Sequence, residues 1–304
     1  MKPDLAVDLC GISMANPVVT VSGTCGNGRE LAQFYDLGVL GAFTVKSIRL
    51  EKHPGNPLPR IAESASGVLN SIGIPSEGVR HFIEYDLPFL RQYRVPVIAS
   101  IAATRAEDYA RIASILDGEQ GISAIEVNVS CPNLETGGCA FGSDPEVTGQ
   151  IIHGVKESTR FPVIAKLTPN VTDIALIARS VEKAGADAVS LINTLAAMSI
   201  DIETRRPKLG NVTGGLSGPA IKPVALRMVY QAARAVKIPI IGIGGIAGPD
   251  DALEFIIAGA LAVQVGTANF YDPGTSPRIV DGIRDYCRRK RLHLADLVGS
   301  LRTS

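Results

Sequence analysis

Three short runs of this sequence share one design: VPVIASI at 95–101, FPVIAKL at 161–167 and IPIIGIG at 238–244. Each has a proline at its second position and continues as a largely apolar run for the length of one strand. Proline has no N–H to give to a ladder, so it suits the first residue of a strand, and such a run leaves no face for water. Both features describe buried strands of a parallel sheet. A second unit alternates with the first, as GISAIEVNVS (121–130), AGADAVSLIN (184–193) and AGALAVQVGT (258–267). In these a glycine ends a helix and small residues lead into the next strand.

Helical spacing fills the intervals. Ile174, Ile177, Ala178, Val181 and Ala184 fall on one face, with Gly185 past the end, which predicts a helix lying on the sheet. With NPVVTVSG (16–23) and GAFTVKS (41–47) the strands number eight, near 17–22, 42–46, 96–101, 124–129, 162–167, 187–193, 239–243 and 261–266. Eight βα units in 304 residues predict an α/β fold, a single (β/α)8 TIM barrel spanning 1–304 as one domain. A doubly wound open sheet has the same alternation; the paired repeat favours the closed barrel. Two interruptions, 48–80 and 195–218, are rich in Pro, Gly, Ser and Asn. They are expected to cover an active site at the C-terminal face.

Charge and cysteine usage narrow the chemistry. Lysine plus arginine equals aspartate plus glutamate at 30 each, so no electrostatic excess points to nucleic acid or an anionic membrane, and a small-molecule ligand is expected. The first residues lack a signal-like apolar stretch, and no segment approaches the roughly 20 apolar residues that span a bilayer. Five cysteines without any C-x-x-C argue against a disulfide framework, a zinc site or an iron–sulfur site, and no metal is expected. A reducing cytoplasm is the expected compartment.

In such a barrel the chemistry sits at the C-terminal ends of the strands. Here these are Ser22 with Gly23, Lys46 with Ser47, Ser100, Asn128, Lys166, Asn193 with Thr194, Gly244 with Gly245, and Gly266 with Thr267. Two lysines closing apolar strands at equivalent positions imply an anionic partner, since a lone buried ammonium is costly. The glycines after the seventh and eighth strands let backbone N–H groups approach a phosphate. Asn70, Asn128, Asn133 and Asn193 each donate and accept, as a planar ring with amide and carbonyl edges requires. Cys131 follows the fourth strand on a loop that continues as NLETGGCAFGSD. With an ordinary thiol pKa of about 8.5 it suits proton abstraction near neutral pH. A nucleophilic Cys/His pair through space is the other use of such a thiol.

Together NVSCPN with GGCAFG, LNSIG, SGT, VKSI, NTLAAM, GGLSGPAIKP, IGIGGI and VQVGTANF resemble the FMN-dependent dihydroorotate dehydrogenases, over about residues 5 to 285. The cysteine resembles class 1, and GG-x-AFG resembles class 1B, the NAD-linked catalytic subunit. The resemblance implies that Cys131 takes a proton from C5 of dihydroorotate while C6 delivers hydride to FMN, giving orotate in pyrimidine biosynthesis. It implies substrate contacts at Lys46, Asn70, Ser71, Ile72, Gly73, Ile74, Asn128, Asn193 and Thr194, with Asn133 added. It further implies FMN contacts at Ser22, Lys46, Ser47, Ser100, Asn128, Lys166, Ile192, Gly218, Gly244, Gly245, Gly266 and Thr267. Lys166 would lie beneath the pyrimidine part of the flavin. Many relatives carry asparagine where this chain has Ser100. The implied partner is a second subunit bearing FAD and a [2Fe–2S] cluster, two copies of each chain, that passes electrons to NAD⁺. A fumarate-reducing class 1A enzyme, the flavin domain of a dihydropyrimidine dehydrogenase and a non-catalytic phosphate-binding barrel are the competing readings.

Overall fold

The computed structural model describes residues 4–130 and 141–303. Eight parallel strands form its centre: β1 (Val18–Thr20), β2 (Phe43–Thr44), β3 (Val97–Ile101), β4 (Ala124–Asn128), β5 (Val163–Leu167), β6 (Ala188–Leu191), β7 (Ile240–Ile243) and β8 (Ala262–Val265). They are hydrogen-bonded in the order β1-β8-β7-β6-β5-β4-β3-β2. The ring closes between β1 and β2 through a Val19–Ala42 bridge. There the Thr20 hydroxyl accepts from Thr44 N at 2.8 Å and donates to Thr44 O at 3.2 Å. All eight expected strands are present, in a (β/α)8 barrel.

The prolines sit where the missing donor costs nothing. Pro96, Pro162 and Pro239 each precede a strand, and their carbonyls accept from Phe43, Ile125 and Val189 of the neighbouring strand at 2.8–2.9 Å. Helices return the chain between strands. That over Ile174–Lys183 is capped by Asp173, whose carboxylate accepts from Ala175 and Leu176 N, and it buries Ile174, Ile177, Ala178 and Val181 on the barrel wall. Asp144 caps the preceding helix, Pro145–Lys156, in the same way.

Inside the barrel, inward side chains fall into layers contributed by alternate strands, as closure with a staggered register requires. Ala42, Ala124, Ala188 and Ala262 of the even strands and Val19, Ile98, Ile164 and Ile241 of the odd strands make a dry lower plug. A hairpin, Val7–Leu9 with Ile12–Met14, seals it from below with Leu9, Ile12 and Met14. Two residues further along the even strands stand Thr44, Glu126, Ser190 and Gln264, all at most 1 % exposed. The barrel therefore changes from apolar to polar halfway up.

The two long interruptions cover the upper end together. Leu195–Met198, Thr213–Ser217, Gly67–Asn70 and Ile61–Ser64 form one antiparallel sheet in that order. Its middle pairing joins the two insertions, Gly215 opposite Asn70 and Ser217 opposite Val68.

Candidate active site

The strand ends and the sheet above them enclose a cavity of about 770 Å³, within the range of small-molecule and cofactor sites. Ser22, Lys46 and Ser47 reach it from the first two strands, Asn128 and Lys166 from β4 and β5, and Ile192, Asn193 and Thr194 from just beyond β6. Asn70, Ser71, Ile72, Gly73 and Ile74 line it from the insertion after β2. Gly218, Gly244, Gly245, Gly266 and Thr267 line the remaining wall. Three sequence-predicted residues stand apart. Ser100 is fully buried and does not line the cavity; its hydroxyl lies 3.0 Å from that of Ser47. Cys131 and Asn133 lie outside the described residues.

The asparagines hold one another. Asn193 Nδ2 donates to Asn128 Oδ1 at 3.2 Å, and the same oxygen accepts from Ser130 N at 3.2 Å. Asn193 Oδ1 accepts from Thr194 N at 2.9 Å, and Asn70 Nδ2 donates to the Gly215 carbonyl at 3.2 Å. Tyr109, buried under β4, donates its hydroxyl to the Asn128 carbonyl at 2.8 Å. These bonds settle which way each amide faces.

At the opposite wall Gly245 has φ +75°, and a Cβ there would lie 2.8 Å from Lys222 N and 2.9 Å from the Gly218 carbonyl. Only glycine combines that backbone angle with so close an approach. Thr267 donates to Ser217 Oγ at 2.9 Å, joining the end of β8 to the covering sheet.

The floor carries charge. Lys166, 3 % exposed, directs Nζ to Glu126 Oε1 at 3.5 Å and to Ser22 Oγ at 3.3 Å. Glu126 Oε2 accepts from Ser190 Oγ at 3.1 Å and from Gln264 Nε2 at 2.9 Å, and Gln264 Nε2 also reaches Thr44 Oγ1 at 3.2 Å. Glu126 and Gln264 were not singled out from the sequence. The signal was present: each is a polar residue inside a buried strand, and Glu126 shares its side of β4 with Asn128. Arg49 and His53 also line the cavity. Burial, and next the Arg49 charge, hold His53 below the usual imidazole range.

The cavity fits a flat cofactor with a phosphate tail. Ser71 Oγ, Ser130 Oγ and Gln264 Oε1 are buried without a hydrogen-bond partner among the described residues, and all three residues line it. The glycine wall offers close backbone approach, and Lys166 offers a cation. No group of three or more His, Cys, Asp or Glu among the described residues is placed to hold a metal ion. No helix among them is long and apolar enough to cross a membrane.

The chain resembles known proteins over nearly its whole length. The chain is 50% identical over 302 residues to the protein named dihydroorotate dehydrogenase B (NAD(+)), catalytic subunit, of Pelobacter propionicus, covering 99% of each chain. Relatives of the same name from Citrifermentans bemidjiense and Desulforudis audaxviator are 51% and 52% identical over 301 residues, covering 99% of this chain and 99% and 98% of theirs. The family model for dihydroorotate dehydrogenase matches residues 4–286, and with this match and the full-length likeness to its relatives the chain belongs to the dihydroorotate dehydrogenase family.

Proposed function

We propose that this chain oxidises (S)-dihydroorotate to orotate in pyrimidine biosynthesis, as an NAD-linked catalytic subunit of class 1B working in the cytoplasm. The observation that carries the reading is the convergence of Lys46, Asn70, Asn128 and Asn193 on one cavity whose floor is Lys166 and whose far wall is glycine. When bound, FMN supplies the acceptor for the hydride that leaves C6 of the substrate.

The chain's own residues do the rest. Gly218, Gly244, Gly245, Gly266 and Thr267 bind the cofactor's phosphate through backbone and hydroxyl groups. Ser22, Ser47, Ile192 and Lys166 hold the ring system, and the Lys166 ammonium stabilises negative charge that develops there, an effect that is large where water is excluded. Ser100 supports this wall through Ser47. Asn70, Asn128, Asn193 and Thr194, with Asn133, orient the substrate's amide and carbonyl edges, and Lys46 meets its anionic end. Cys131 takes the proton from C5. The sheet formed by the two insertions covers part of the cavity, with Asn70 and Ser217 in its lining.

Electrons then leave through a second subunit carrying FAD and a [2Fe–2S] cluster, two copies of each chain, to NAD⁺. The relatives' name, which includes both NAD(+) and a catalytic subunit, supports this choice over fumarate. Purified under anaerobic conditions, the chain should hold one yellow FMN that dihydroorotate bleaches. The isolated chain should reduce artificial dyes but neither NAD⁺ nor fumarate, and NAD⁺ reduction should appear on adding the partner subunit. A colourless protein would refute the flavin reading, and rapid fumarate reduction by the chain alone would move it to class 1A.

A further inference from the structure

The polar layer inside the barrel is not needed to fill space, because a third apolar layer would do so at less cost. A buried ion pair seldom adds net stability over apolar residues of the same volume, since two charges must be desolvated. Here the pair is elaborately held. Glu126, fully buried, receives Lys166, Ser190 and Gln264, drawn from β5, β6 and β8, and Gln264 is in turn fixed by Thr44 of β2. Lys166 belongs to the next layer up and lines the cavity floor, whereas Glu126 lies one layer below and does not line it.

We propose that Glu126 is a positioning residue that sets the charge presented to the bound flavin, by countering and aiming the Lys166 ammonium from beneath. The inference rests on the flavin reading given above. A lone ammonium under the ring would favour the two-electron-reduced flavin, which carries the additional negative charge, and so hold the electrons. A carboxylate 3.5 Å from Nζ offsets part of that field where the surroundings screen it little. The pair thus keeps a cation in contact with the ring without trapping the electrons that must be passed on. Ser190 and Gln264 hold the carboxylate, which does not itself line the cavity.

The test equilibrates enzyme-bound FMN with a reference dye of known potential at pH 7. Glu126→Gln should move the equilibrium constant for flavin reduction about tenfold toward the reduced form, about 30 mV for two electrons. Glu126→Asp, which keeps the charge, should stay within about twofold of wild type by the same electrostatic argument. An unshifted Glu126→Gln flavin, or one shifted toward the oxidised form, would overturn the proposal. Should that variant fail to hold FMN, Lys166→Met and the double variant Lys166→Met/Glu126→Gln decide in flavin-free protein. Lys166→Met strands a buried carboxylate, so the double variant should melt at the higher temperature, and one that melts no higher would also overturn the proposal. The two readings fail separately. Wild-type protein without FMN, or with FMN that dihydroorotate does not bleach, defeats the function; bleachable wild type with an unshifted Glu126→Gln defeats only the role of Glu126.

Discussion

Asn193 Nδ2 donates to Asn128 Oδ1 across 3.2 Å, so amides at the ends of β4 and β6 orient each other over the intervening β5. If the two amides clamp one edge of the substrate, removing the donor leaves Asn128 Oδ1 held by Ser130 N alone and takes the Asn193 amide away from the substrate. Asn193→Ala should lower kcat/KM for dihydroorotate by roughly ten- to a hundredfold, the loss of one to two buried hydrogen bonds. FMN content should stay at the wild-type level. Steady-state kinetics with an artificial dye checks this, and a parental kcat/KM would remove Asn193 from the substrate site.

Gly245 and Gly266 carry the phosphate assignment. A Cβ at Gly245 meets Lys222 N, Lys222 Cβ and the Gly218 carbonyl within 2.8–2.9 Å, and one at Gly266 meets Val21 Cγ1 at 2.7 Å. Valine at either position should reduce FMN per chain, read from the absorbance ratio of flavin to protein. The loss should be greater at Gly245, where backbone atoms with no freedom to move are in the way and φ is +75°. Full occupancy in both variants would place the phosphate elsewhere.

Cys131→Ser should retain FMN and orotate binding while slowing flavin bleaching by dihydroorotate about 10²- to 10⁴-fold at neutral pH, the usual span for a lost general base. Stopped-flow absorbance under anaerobic conditions reads both rates. A serine variant that bleaches as fast as wild type would end the role of Cys131 as base.

Alkaline pH should destabilise the fold. Burial, and then Asp187 and Asp8, push the Cys10 thiol up to about 11, and it donates to the Asp187 carbonyl at 2.9 Å. An acid whose pKa is higher folded than unfolded holds its proton better in the native state. Its contribution is whole below the unfolded pKa of about 9 and fades as pH rises to about 11. Urea unfolding between pH 8 and 11 should show falling stability, with a shallower fall in Cys10→Ala. Burial also raises Cys25 and Cys287, so part of the fall should persist. An identical slope in the variant would show that Cys10 does not contribute.

Much of the barrel was legible because its signals are local. Pro96, Pro162 and Pro239 mark strand starts by the donor they lack, glycines such as Gly185 mark helix ends, and strand-end residues such as Asn128 and Asn193 stand out against apolar runs. The insertions read only as loops. Four of their strands join into one sheet because Asn70 pairs with Gly215, 145 residues away, and no local pattern encodes a partner so distant. Ser100 shows a related limit, for its position at a strand end was correct, yet its short side chain turns to Ser47 instead of the cavity.

Glu126 marks the boundary most sharply. The chain by itself determined eight strands, their direction and the chemical groups gathered at their ends, since propensity, turn chemistry and hydrophobic period act over a few residues. Which side chains meet inside the barrel was decided by closure. Strand stagger puts Thr44, Glu126, Ser190 and Gln264 in one layer and sets Lys166 above it, because a register shared by eight strands is a property of the ring and of no single segment.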